Sequence, residues 1–204
     1  IMASILKVDK IRVSGGDSDS ISFDGAGNVT FHKTITGRET GVEKTVVVGT
    51  QAMSGLTEKT FTGIPSNAKR VRLTVDGTYK DGSQQTRIRI GDSSGIKTSG
   101  YDFRVNAPYA AGSVYTEART AGADTYMDGA SGSSYTVWGF VDITSLITTN
   151  RYLIHMHMYS NNNAYLNTGM GHVDLSGVMD RIQFTTQNGT QTFGAGSIKL
   201  EYTV

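Results

Sequence analysis

The 204-residue sequence contains no cysteine, two prolines, one tryptophan and no long apolar run. Without cysteine there are no disulfides, no thiolate-bound metals and no thiol nucleophile, and the redox compartment is left open. No apolar stretch approaches the ~20 residues that cross a bilayer, so membrane insertion is not expected. The formal net charge is only +1, which gives no strong pull on nucleic acid or an anionic membrane. Residues 5 to 13 alternate apolar and charged side chains, so no secretory leader is expected. No segment has the pattern of a long amphipathic helix, and no period of 20 to 50 residues repeats as in a solenoid or propeller.

What the chain does have is glycine, 25 residues of it, with abundant serine and threonine. Short alternations of apolar and polar residues fill the space between turn signals, which is the signature of an all-β protein. The organising stretch is Phe61 to Tyr101. Val71, Leu73 and Val75 alternate with Arg70, Arg72 and Thr74, and Ile88 and Ile90 alternate with Arg87 and Arg89. Asp76-Gly77 and Asp81-Gly82 are turn formers between them, and Gly91 to Gly100 is expected to be a long presented loop.

Further strands are predicted over 113–119, 135–143, 151–159, 180–186 and 197–204. Val46-Val47-Val48 has the look of a strand buried on both faces. Asp142 to Leu146 offers a cap followed by apolar residues, which predicts a single helical turn. The fold expected is a jelly-roll-like β-sandwich over residues 42–204, preceded by a short extended β segment over 1–41, with Gly37 to Gly41 as linker. Below ~40 residues a free-standing fold usually needs a staple. The first segment therefore either packs on the main domain as a hairpin or is stabilised by its own copies.

The motifs FTGIP (Phe61 to Pro65), Lys69-Arg70-Val71 and IGDSSGIKTSGY (Ile90 to Tyr101) resemble the receptor-binding module near the C-terminus of tailed-bacteriophage tail fibres. The segments Met2 to Ile11 and Gly27 to Phe31 are similar to the starts of small phage virion proteins. The resemblance implies a homotrimer carried on the virion and assembled in the host cytoplasm. In that arrangement Val29, Phe31 and Ile35 attach the chain to other virion proteins, and the distal loops touch a host-surface glycan or protein. A capsid decoration or head-fibre protein is the alternative.

Sugars present apolar C–H faces and many hydroxyls, so a shallow site needs aromatic plates beside short amides and carboxylates. Tyr101, Tyr109, Tyr126, Tyr159, Asn161, Asn162, Asn163 and Tyr165 supply those types in or beside Gly/Ser/Asn loops, which are usual recognition surfaces. Trp138 is expected in the core or at a subunit contact.

His155-Met156-His157 places two imidazoles on one face of a strand, with Tyr152, Ile154, Met156 and Met158 on the other. Two histidines are too few for a metal unless symmetry supplies more, so no metal and no cofactor are expected. Asp102, Glu117, Asp124, Asp128 and Asp142 are the carboxylates that would have to converge for glycan cleavage. No Gly-x-Ser-x-Gly elbow, phosphate loop or EF-hand loop is present, so binding without catalysis is expected.

Overall fold

In the computed structural model the chain separates into two compact units, Ile1–Val42 and Glu43–Val204. The structure describes residues 10–12, 19–23, 29–31, 43–80, 84–108, 114–125, 136–146, 150–161 and 165–204. Among them there is no helix; the chain is all-β.

The first unit is an antiparallel meander of β1 (Lys10–Arg12), β2 (Asp19–Phe23) and β3 (Val29–Phe31). Ile11 lies opposite Ile21, and Ile21 opposite Phe31. Val29 and Phe31, the predicted attachment residues, are on β3; Ile35 and the expected linker at Gly37 to Gly41 lie outside the described residues.

The second unit begins with β4 (Thr45–Ala52), β5 (Glu58–Thr62), β6 (Arg70–Lys80), β7 (Thr86–Asp92) and β8 (Gly95–Ile96). It continues through β9 (Tyr101–Pro108), β10 (Val114–Arg119), β11 (Ala123–Asp124) and β12 (Val137–Ser145). It ends with β13 (Arg151–Ser160), β14 (Tyr165–Asp174), β15 (Arg181–Thr186) and β16 (Phe193–Thr203). Eight strands form one antiparallel sheet in the order β10-β9-β14-β13-β12-β6-β16-β4. The other sheet runs β11-β7-β15-β5, with β8 turned back on β7. Lys44 and Val204 exchange backbone hydrogen bonds of 3.2 and 3.1 Å, so the two ends of the unit lie side by side.

Alternation explains the core. Val71, Leu73 and Val75 of β6, Phe103 and Val105 of β9, and Ile154, Met156 and Met158 of β13 point inward from the large sheet. Ile88 and Ile90 of β7 and Ile182 and Phe184 of β15 meet them from the small one, and all are buried. Phe184 stacks on Phe193 with ring centroids 5.0 Å apart. Each such side chain contributes roughly 1.5–3 kcal/mol by leaving water. At the edge of the small sheet Asp124, fully buried, receives the Arg87 guanidinium through two bonds of 2.6 Å. That fork satisfies a charge that would otherwise be costly to bury.

Three local expectations are corrected. Val46 to Val48 is not buried on both faces: β4 is an edge strand paired only with β16. A bulge pairs Leu200 with Gly49 but Glu201 with Val47, which skips Val48. The bulge breaks the alternation, and Val47 and Val48 are both exposed, at 57% and 37%.

Asp142 to Leu146 is not a helical turn: Asp142 to Ser145 continue β12. Val141 and Ile143 are core residues held by ladders on both sides, and the Asp142 carboxylate binds Arg72 rather than capping backbone N–H groups.

Nor is Gly91 to Gly100 a presented loop. It holds the tight β7–β8 hairpin, and Asp92 is 3% exposed. The Asp92 carboxylate accepts hydrogen bonds from the Ser94 N–H, the Ser94 hydroxyl and the Gly177 N–H. It therefore clamps the hairpin to the β14–β15 connection.

Candidate functional site

The loops proposed for recognition are only partly described. Tyr109, Tyr126, Asn162 and Asn163 lie outside the described residues. Tyr101 is not a surface plate. It is 2% exposed, and its hydroxyl accepts from the Ile90 N–H at 2.9 Å and donates to the Lys97 carbonyl at 3.2 Å. Burial pushes its pKa up to about 12. The alternation of Tyr101, Phe103, Val105 and Ala107 along β9 turns all four inward.

Tyr159, Asn161 and Tyr165 come together at one hairpin tip. Tyr159 is 45% exposed near the end of β13, and Tyr165 opens β14 opposite Ser160. Asn161 is exposed, and its side-chain oxygen accepts from the Thr136 N–H at 3.0 Å, tying the tip to the start of β12.

From that tip the outer face of the large sheet carries a continuous row of large side chains, set by register. Across β12 and β13, Trp138 faces Tyr159, Phe140 faces His157 and Asp142 faces His155. On the other side of β13, Tyr159 faces Leu166, His155 faces Met170 and Leu153 faces His172. Leu166 and Met170 are 47% and 53% exposed. Trp138 is not in the core; it is half-buried on this face, its ring 6.1 Å from that of Tyr159.

The two imidazoles have centroids 4.3 Å apart, and Phe140 lies 5.3 Å from His157. Arg72 stacks over Phe140 at 4.2 Å and grips Asp142 with bonds of 2.7 and 2.6 Å. Asp142 in turn holds the Arg72 pKa above its ordinary value. The result is a central aromatic and thioether strip with the Arg72–Asp142 ion pair at its edge and Arg104 opposite Met170. Among the described residues no three His, Asp or Glu side chains group as a metal site requires.

The carboxylates do not converge as a glycan-cleaving pair. Glu117 and Asp124 share Arg119, but Asp124 is sealed in the core by Arg87. Asp142 is on the opposite side of the large sheet, Asp102 is exposed on the outer face of β9, and Asp128 is outside the described residues.

Beside the aromatic strip is an open groove of about 510 Å³. It is floored by β4, β16, β6 and β12 and edged by Thr50, Thr74, Asp76, Phe140, Ser197 and Lys199. Of these, Thr74 and Lys199 are legible as the wet phase of alternating strands, yet nothing in any one strand marks them as a site. The available signal was glycine interrupting three strands, at Gly77, Gly139 and Gly196, each with positive φ.

The second unit is thus an all-β sandwich with a clamped small sheet and an aromatic outer face on the large one. No protein-family model, no curated protein and no solved structure matches the chain.

Proposed function

We propose that the chain is a bacteriophage tail-fibre protein: a homotrimer on the virion that adsorbs the particle to a host-surface receptor, in the first place a glycan, without chemistry. The N-terminal unit attaches it to other virion proteins. The trimer rests on the resemblance of the FTGIP and IGDSSGIKTSGY motifs, the attachment on that of Met2 to Ile11 and Gly27 to Phe31, and the jelly-roll-like connectivity on the closely spaced turn signals. The observation that supports recognition is the outer face, where Tyr159, Leu166 and Met170 are about half exposed beside Trp138, Phe140 and two histidines. Contiguous exposure of this kind marks interaction surfaces, whereas isolated apolar residues do not.

A second reading is a capsid decoration or head-fibre protein. It is favoured by the exposed Leu166 and Met170, which suit a protein partner better than a sugar. Purified chain incubated with host cells separates the two. Saturable adsorption that blocks infection supports the tail-fibre reading. Failure to adsorb, with particles lacking the chain losing stability, supports decoration.

A further inference from the structure

We infer that the groove between β4, β16, β6 and β12 is a binding site for a neutral pyranose sugar. This deepens the receptor reading above by naming the ligand class and moving the site from the loops to the sheet. Three consecutive strands are interrupted at one level. The β12–β6 register shifts between Val137 and Gly139, and the β16–β6 register shifts between Ala195 and Ser197. Each of the three strands has a positive-φ glycine there: Gly77 at 64°, Gly139 at 145° and Gly196 at 87°.

At Gly139 and Gly196 there is no room for a side chain, while at Gly77 the left-handed backbone alone favours glycine. A Cβ at Gly139 would fall 2.1 Å from the His157 carbonyl oxygen, and one at Gly196 would fall 2.4 Å from the Thr78 nitrogen. Aligned bulges bend a sheet and unpair its backbone locally, and bulges recur beside binding sites because they re-aim side chains. Here the register breaks lie under the groove.

The lining fits a sugar. Phe140, with Arg72 over its ring at 4.2 Å and His157 5.3 Å away, offers its remaining aromatic surface to C–H groups. Thr50, Thr74 and Ser197 offer hydroxyls, which both donate and accept. Asp76 is exposed and accepts from sugar hydroxyls. Lys199 is already paired with Glu201 at 2.9 Å, so among the described residues the groove lining has no spare cation. With Asp76 added the local charge is negative, which selects against sialic and other acidic sugars and for neutral ones.

Saturation-transfer NMR on the full chain tests this with methyl glucoside, methyl galactoside, N-acetylglucosamine and N-acetylneuraminic acid as probes. Transfer is expected to at least one neutral sugar and not to the acid. Asp76→Asn, an exposed change, should weaken binding about tenfold or more. Phe140→Ala should abolish transfer, with circular dichroism checking the fold. No transfer to any neutral probe overturns the inference, as does transfer that survives both substitutions. The two proposals fail separately. A chain that adsorbs to host cells but binds no probe sugar loses the groove and keeps the receptor role. Sugar binding without adsorption does the reverse.

Discussion

At the scale of single residues, two buried groups in the β7–β8 region carry opposite pH signatures. Asp92 accepts three hydrogen bonds, those from Ser94 first, which hold its pKa below the ordinary carboxylate value. A lowered pKa in the folded state means stability that is complete above the unfolded pKa of about 4 and lost as pH falls through the folded value. Asp92→Ala should therefore lower the urea midpoint at pH 7, by about 1–3 kcal/mol of stability for the orphaned donors. It should also flatten the acid limb of the stability curve.

Tyr101 works the other way. Burial raises its pKa to about 12, so the neutral phenol is favoured in the fold. Its contribution is full below about pH 10 and is lost between there and about pH 12 as the unfolded phenol ionises, amounting to roughly 2–3 kcal/mol. Tyr101→Phe should remove that alkaline dependence while leaving host adsorption unchanged. Lost adsorption would return Tyr101 to the recognition surface.

At the scale of strands, β14 shows how packing hides an element. Its inner positions are Asn167, Gly169, Gly171 and Val173, so the expected alternation of apolar residues is missing. The reason is Phe103 on the neighbouring strand: a Cβ at Gly169 would lie 2.4 Å from the edge of its ring. Glycine makes the room that Phe103 fills. Gly169→Ala should thus cost about 1–3 kcal/mol in urea unfolding. Combined with Phe103→Leu it should cost less than the two separate losses added together, because the neighbours couple.

The strands that were legible, such as β6, β13 and β16, are those whose core positions carry large apolar side chains. The pattern of β9 is equally clear, yet it begins directly after a Gly/Ser stretch, and no strand is predicted over it. The groove could not be read in advance, since it is made by breaks at the same level in three strands that are distant in sequence.

At the scale of the molecule, the number of copies sets the strength of binding. A shallow groove on one chain binds weakly, and several copies engaging a surface together gain ~10² to 10⁴ in avidity. Light scattering of the purified chain should give three times the mass of a single copy. Dilution to single copies should cut adsorption to cells by about that factor while per-site sugar binding stays the same. A chain that scatters as one copy yet adsorbs at full strength would refute the multivalent scheme.

One consequence follows from the ladder between Lys44 and Val204. Because Lys44, the unit's second residue, and Val204, its last, are hydrogen-bonded neighbours, a short glycine-serine bridge can splice the two ends, and the polypeptide can be reopened elsewhere as a circular permutant. Reopened within 187–190, at the turn between β15 and β16, the permuted unit should melt cooperatively. Its new ends would then emerge at a different corner of the sandwich, offering another point from which to tether it.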